Sequence, residues 1–386
     1  MKIAIFTDTY LPQMNGVVAY LCDSIKILGK SNELVLFAPG NGPGRLEQIS
    51  EKLKIYWIPA SPFPFYEGYR MASVNYKRVS DILKRERPDI VHAHAPVILG
   101  LQGIISAKRK GIPVVITYHT HFPDYLPHLL NGKLPGILNK LGRYTVKKLI
   151  KHAFKRADIV TAPTRELVKE LRSYGLQNVV YIPNGVDFKK FKRDRRKEVE
   201  FRNEHGIQKK KTVLYVGRIS FEKKLDVLLD AFRMIEKRDR QLLIVGSGPY
   251  LHKVKDLAKG LGIKNVIFTG FVRDTVAAYQ CADIFASASD SETFGLTFVE
   301  AMHMGLPVIG VRRLGAKEII KNGNCGILVE PGNGRELADA IDKLLENRKL
   351  HGRMSEQARR RSTIYSMEKS INKMLKIYEK LVSRRS

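Results

Sequence analysis

Glu292 and Glu300 have seven residues between them in "SETFGLTFVEAM", and the gap holds a Phe294-Gly295-Leu296 turn. A glycine turn that opens a helix points backbone N–H groups outward, and a helix N-terminus stabilises anions. A diphosphate can rest there. Glu300, about two turns into such a helix, can accept two hydrogen bonds from ribose hydroxyls. Glu292 can meet a sugar or a developing positive charge. The plainer reading makes Glu292 a first-turn residue and Glu300 a solvated one. It does not explain why Glu300 stands among the apolar residues of "LTFVEAMHMG". Earlier, "YVGRISFEKKLDVLLDAF" reads as strand, turn and helix, with Arg218 after the strand and Lys223 opening the helix. Cations at a strand end grip a diphosphate, Arg as a planar fork and Lys as a point charge. The alternative is a pair of surface cations in a chain rich in them.

Other stretches carry weaker signals. "IVGSGP" puts Gly246 and Gly248 after a strand, where the backbone can approach a ligand closely. An ordinary strand-to-helix turn would look the same. In "FTGFV" the backbone of Phe271 and Val272 can meet a nucleobase edge, and packing accounts for that stretch equally well. Asn15 and Gly16 sit at a helix start in "TDTYLPQMNGVVAY", so their N–H groups can face a phosphate. His119 falls just past a strand end in "TYHTHF", and His92 at the end of another strand in "DIVHAH". The pairs His92/His94 and His119/His121 have the spacing of metal ligands on strands. No Cys or Glu cluster, H-E-x-x-H or Asp-x-Asp accompanies them, so no metal is expected and His94 is expected to be a satisfied structural histidine.

These residues require strands that end where they stand. "KIAIFT", "ELVLFA", "DIVHAH", "PVVITYH", "ADIVTA" and "NVVYIP" read as buried parallel strands, separated by helical stretches such as Val17–Leu28 and Val97–Lys110. The pattern restarts with "KTVLYVG", "QLLIVG", "NVIFTG", "ADIFAS", "PVIGV" and "GILVEP". Two such series predict an α/β protein of two doubly wound domains, whose ligands bind beyond the carboxyl ends of the strands. Pro183 and Gly185 interrupt the pattern. The expected domains are residues 1–183 and 184–362, with a helix over 363–386 packing back on the first and carrying Ile371, Leu375, Tyr378 and Leu381 at helical spacing.

Length bounds the domain count in the same way, since 386 residues exceed one ordinary core. The chain lacks an apolar run of about 18 residues, and its start lacks a signal-peptide core, so a cytoplasmic protein is expected. Cys22, Cys281 and Cys325 have no redox or metal spacing and read as reduced. The net charge is +29, with 26 Lys+Arg against 13 Asp+Glu in residues 1–183 and 41 against 25 in the remainder. Such an excess favours nucleotides, phospholipid surfaces or nucleic acid; a Lys-rich surface of the thermophile kind would show the same balance. Nucleic acid would need a concentrated basic stripe or a stacking motif, whereas this charge is diffuse and the glutamate motif would go unused.

Eight stretches in this order, "PQMNGV", "DIVHAHAP", "VITYHTHFPDY", "PNGVD", "GRISFEKKLDVLLDAF", "VGSGP", "FTGF" and "SETFGLTFVEAM", resemble family 4 of the retaining glycosyltransferases over nearly the whole chain. The resemblance implies the GT-B fold, two Rossmann-like domains facing across a cleft, with a nucleotide sugar on the C-terminal domain and the acceptor on the N-terminal one. It implies that Arg218 and Lys223 hold the diphosphate, Glu300 the ribose and Glu292 the donor sugar, with Gly16, Gly246, Phe271, Val272, Phe294, Gly295 and Leu296 around the nucleotide. His119 would contact the transferred sugar, and Asn15, His92, Tyr118 and Thr120 would lie on the acceptor side. No cofactor is implied; a UDP-sugar is the first expectation for the donor and GDP-mannose the second. Retention without a trusted nucleophile near His119 points to front-face attack, with domain closure excluding water. A sugar-nucleotide epimerase of the same fold would form its product with no acceptor.

The acceptor is harder to read. Residues 131–156 hold eight Lys+Arg and no acid, with Leu138, Leu141, Thr145, Leu149 and Phe154 roughly on one face. A basic amphipathic helix can lie on an anionic bilayer, or pack its apolar face into a core and leave the basic back to solvent. "IPASPFPFYEGYRM" reads as a proline-rich loop with exposed aromatics. "TYHTHFPDYL" resembles members that glycosylate diacylglycerol or phosphatidylinositol-type lipids. A lipid acceptor and peripheral attachment to the cytoplasmic membrane face are therefore expected, with a soluble or polysaccharide-precursor acceptor as the alternative.

Overall fold

The computed structural model describes residues 1–63, 69–94, 96–119, 121, 136–235 and 237–385, with 136–143 and 146 described as backbone only. The chain divides into two compact units, Met1–Asn184 with Glu368–Ser386, and Gly185–Met367.

The first unit carries β1 (Lys2–Thr7), β2 (Glu33–Gly40), β3 (Arg45–Ser50), β4 (Leu53–Pro62), β5 (Arg70–Ala72), β6 (Ile90–His94), β7 (Val114–Thr117), β8 (Ile159–Ala162) and β9 (Val179–Tyr181). Their order is β3-β4-β2-β1-β6-β7-β8-β9, with β5 on β4. The run from Ile3 to Phe6 is apolar at every position because helices cover a parallel strand on both faces, and all four residues are buried. The edge is different. β3 and β5 run antiparallel to β4, and neither reads as a buried strand. β3 is polar apart from Leu46 and Ile49, which stand three residues apart and lie about half exposed. The expected loop at "IPASPFPFYEGYRM" is in part β4 paired with β5, because Ser61 opposes Met71 across an antiparallel ladder; residues 64–68 of that stretch lie outside the described residues.

The second unit carries β10 (Lys211–Val216), β11 (Arg240–Val245), β12 (Val266–Gly270), β13 (Ile284–Ala286), β14 (Val308–Val311) and β15 (Gly326–Val329), all parallel, in the order β12-β11-β10-β13-β14-β15. Alternate residues feed two cores. Leu214, Val216, Leu243, Val245 and Phe285 face one layer of helices, and Val213, Tyr215, Leu242, Ile244 and Ile284 face the other. The strand order reverses between β10 and β13, so the crevice beyond their carboxyl ends is the ligand position of this topology. In the first unit the reversal lies between β1 and β6.

Candidate active site

The second unit's site grows from two loops at the switch point. After β10 comes Gly217, then Arg218, whose carbonyl accepts a hydrogen bond from the Tyr215 hydroxyl at 3.1 Å. Ile219 N donates to the Ser247 carbonyl at 2.9 Å, and Tyr250 N to the Ile219 carbonyl at 3.0 Å, so the loop after β11 braces the loop that carries Arg218. Lys223 does not open a helix. It ends a single 3₁₀ turn, Phe221–Lys223; Lys224 takes the left-handed conformation, and the helix starts at Leu225. The 220s turn is stitched to the loop after β13 by Ser289 and Ser291, whose hydroxyls each donate to the Glu222 carbonyl at 3.3 Å. Across that stitch the Lys223 ammonium meets Glu292 Oε1 at 2.7 Å, both side chains being largely buried.

Gly295 stands at φ +93 as the cap of the helix Leu296–His303, and a Cβ there would lie 2.6 Å from the Phe298 ring. That positive φ and close contact explain the glycine between the two carboxylates. Glu300 lies little more than one turn into this helix, and its Oε2 accepts from the Tyr279 hydroxyl at 2.7 Å. Phe294 is a core residue: its ring is buried and packs edge-on against Tyr365, so only its backbone is left for a ligand. Gly246 is held close to the loop after β10. A Cβ there would lie 1.9 Å from the Gly217 carbonyl oxygen, so the close approach its φ of +142 permits is to the protein's own backbone. Leu296 and Val272 are partly buried against the core, whereas Phe271 is exposed.

In the first unit Asn15 caps the helix Gly16–Leu28, its Oδ1 accepting from Val17 N and Val18 N at 3.0 Å. The cap spends the N–H groups of Val17 and Val18, not those of Asn15 and Gly16 that were expected to face a phosphate. Asp8, just past β1, accepts from the backbone N–H groups of Val97, Ile98, Leu99 and Gly100 at 2.7 to 3.0 Å, spanning the switch between β1 and β6. Burial raises its pKa above the usual carboxylate value, and the four N–H bonds offset only part of that rise.

The histidines form a buried group. His119 Nε2 shares a hydrogen bond of 2.8 Å with His94 Nδ1, and the Tyr20 ring lies 5.1 Å from the His119 ring. His92 contacts Tyr378 through Nδ1 and Thr117 Oγ1, at 2.7 Å, through Nε2. Both its nitrogens are used inside the fold, which removes His92 from the acceptor side; His94 is the partner of His119. Tyr118 is removed too, being fully buried with its ring edge-on to Phe154. Thr120 lies outside the described residues. Burial pushes His92 and His119 down to about 3 and His94 well below its ordinary value, so the group is neutral. Among the described residues there is no group of three or more His, Cys, Asp or Glu that could hold a metal ion.

Residues 14–190 match the family model Glycosyltransferase Family 4, and residues 197–361 match Glycosyl transferases group 1. The alpha-monoglucosyldiacylglycerol synthase of Streptococcus pneumoniae is 35% identical over 320 residues, 80% of this chain and 70% of that protein. The chain belongs to glycosyltransferase family 4. A GDP-mannose-dependent alpha-mannosyltransferase of Mycobacterium tuberculosis is 27% identical over 91% of this chain and 90% of that one. Anabaena HepE, solved in complex with UDP-glucose, superposes with a TM-score of 0.79 at 20% identity, covering 98% of this chain and 100% of that one. The fold of this family 4 glycosyltransferase is GT-B.

Three residues that make the contacts described above carry little sequence signal. Tyr279 reads as an apolar position in "AAYQCAD", Asp8 as a polar strand end, and Glu222 as one more surface acid. Only Asp8 had a usable signal, since an acid just after a buried strand is placed to meet a helix N-terminus at the switch point.

Proposed function

We propose that this glycosyltransferase moves a hexose from a nucleotide sugar, a UDP-sugar first and GDP-mannose second, to a hydroxyl of a membrane lipid of the diacylglycerol or phosphatidylinositol type, with retention and without a metal. The observation that carries the donor half is the 2.7 Å contact of Lys223 with Glu292 at the carboxyl ends of β10 and β13. It keeps a cation and a carboxylate side by side at the ligand position of the fold. Arg218 and Lys223 stabilise the charge that develops on the leaving diphosphate, with the turn at Gly295 adding backbone N–H groups. Glu300 holds the ribose and Glu292 the sugar. Being neutral, His119 contacts the transferred sugar as a hydrogen-bonding group and not as an acid. The acceptor attacks from the face the diphosphate leaves, and the diphosphate takes its proton.

The lipid half is supported by the diacylglycerol-directed name of the 35% identical relative and by the helix Gly136–Phe154. Ile150 and Phe154 of that helix are buried, while Tyr144, Lys147, Lys148 and Leu149 are exposed. Exposed apolar and aromatic groups beside lysines suit an anionic membrane surface, and no described helix is long and apolar enough to cross one. The mannosyltransferase relative, which matches over a larger share of both chains, favours the second reading: GDP-mannose as donor, with the acceptor left open. A transfer assay pairing UDP-glucose, UDP-galactose and GDP-mannose with diacylglycerol vesicles, phosphatidylinositol vesicles or soluble sugars separates the readings. A lipid product from a UDP-sugar is expected. Equal transfer to a soluble acceptor without vesicles overturns the lipid assignment.

A further inference from the structure

We infer that Tyr279 is the positioning residue for Glu300 and sets how strongly the enzyme prefers a ribonucleotide donor to its 2′-deoxy counterpart. The inference rests on the reading of Glu300 as the ribose ligand. Tyr279 lies in the short helix Val276–Gln280, on an element separate from the one that carries Glu300. Its ring is fully enclosed, packing at 6.1 Å from Phe191 and 6.5 Å from Phe285. The hydroxyl is aimed by that packing and donates to Glu300 Oε2 at 2.7 Å.

Glu300 itself is only half-buried and has three side-chain torsions. An isolated glutamate on a helix samples several rotamers, each with its carboxylate plane in a different place. A ribose diol needs one of them, because a bidentate pattern from two vicinal hydroxyls is directional. Tyr279 takes one of the several acceptor positions of the carboxylate. A phenol from the core therefore fixes the plane of the carboxylate before the nucleotide arrives, which reduces the ordering cost of binding. Burial, followed by the neighbouring Glu300 carboxylate, holds the phenol's pKa well above its ordinary value, so the proton stays on the tyrosine and the tyrosine is the donor.

The test titrates UDP, GDP and their 2′-deoxy analogues into wild type, Tyr279→Phe and Glu300→Ala by calorimetry. Phenylalanine keeps the packed ring and removes only the hydroxyl. Tyr279→Phe should weaken the preferred ribonucleotide by roughly 2- to 10-fold, the ordering cost of one rotamer-rich side chain. It should weaken the deoxy analogue, which keeps only the 3′-hydroxyl contact, by less, so that the ribo-to-deoxy ratio falls. In turnover the donor KM should rise with kcat nearly constant, because the ribose contact is the same in ground and transition states. If Glu300→Ala weakens the nucleotide and Tyr279→Phe leaves both the affinity and the ratio unchanged, the positioning role is overturned and the ribose reading survives. If Glu300→Ala changes nothing, or if neither nucleotide binds the wild type, the ribose reading falls and the inference falls with it. Equal weakening of ribo and deoxy forms by Tyr279→Phe would mark a packing residue and would also overturn the proposal.

Discussion

At the scale of single residues, the pair Lys223–Glu292 changes what each substitution should do. Arg218→Ala and Lys223→Ala should each lower kcat by about 100-fold or more, since each removes stabilisation of the leaving diphosphate. Steady-state kinetics with saturating donor checks this, and near-normal turnover in both variants would remove the mechanism. Glu292→Ala should spare binding of a bare nucleoside diphosphate and depress transfer, whereas Glu300→Ala should weaken the nucleotide itself. The 2.7 Å contact sharpens the first half. In free enzyme Glu292 neutralises Lys223, so its removal leaves a freer cation, and binding of the bare diphosphate should hold or tighten slightly. A calorimetric titration with the opposite pattern would reverse the ribose and sugar assignments. His119 sits at about 3 because burial disfavours its charge. The pH profile of kcat between 5 and 8 should therefore carry no inflection from it, and a His119→Gln variant should show the same profile at a lower plateau.

At the scale of elements, the helix Gly136–Phe154 tests the membrane assignment. Leu149 was expected among the residues of a packed face, yet it is 64% exposed, and Ile150 takes the buried place. Tyr144 lies exposed on the same helix with the Lys148 ammonium 4.7 Å from its ring centroid. Each lysine near an anionic surface contributes roughly 1 kcal/mol, weakened by salt. A Lys148→Ser, Leu149→Ser variant should bind phosphatidylglycerol vesicles about 10-fold less tightly in a flotation assay, with nucleotide affinity unchanged. Undiminished binding would move the membrane face elsewhere. The same comparison shows what a sequence can disclose about elements. The parallel strands were legible because burial on both faces makes their apolar runs continuous. β3 and β5 were not, because β3 is mostly polar with Leu46 and Ile49 three residues apart, which breaks the period of two, and β5 has only three residues. Within the candidate site, Glu292, Gly295 and Glu300 stand out by type and spacing, and their roles there are part of the proposal. Their partners Lys223 and Tyr279 were not legible as partners, since pairing depends on which strand ends the topology brings together.

At the scale of the whole molecule, three neutral histidines in the first unit make its stability depend on acid. His92, His94 and His119 have folded pKa values below those of the unfolded chain, near 6.5. Above pH 6.5 both states are neutral and nothing is lost. As pH falls from 6.5 towards 3, the unfolded chain takes up protons that the folded one refuses, so stability falls by up to about 1.4 kcal/mol per pH unit for each histidine. The chain has one tryptophan, Trp57, which lies in β4 of that unit, so its fluorescence reports the right transition. The urea midpoint followed at Trp57 should drop between pH 7 and pH 5; a flat midpoint would contradict the burial argument. The unit also depends on its last helix, Met367–Ser383, since Tyr378 contacts His92 across 286 residues and Ser370 donates to the Pro183 carbonyl at 2.7 Å. On the ribosome the amino terminus emerges first, yet this first unit is the last to be finished. Its nascent form waits, with His92 lacking one buried partner and the ground under Ile371 and Met374 uncovered, while the entire second unit is made. A stop codon at 368 would make that exposure permanent for the first unit while leaving every residue of the second in place.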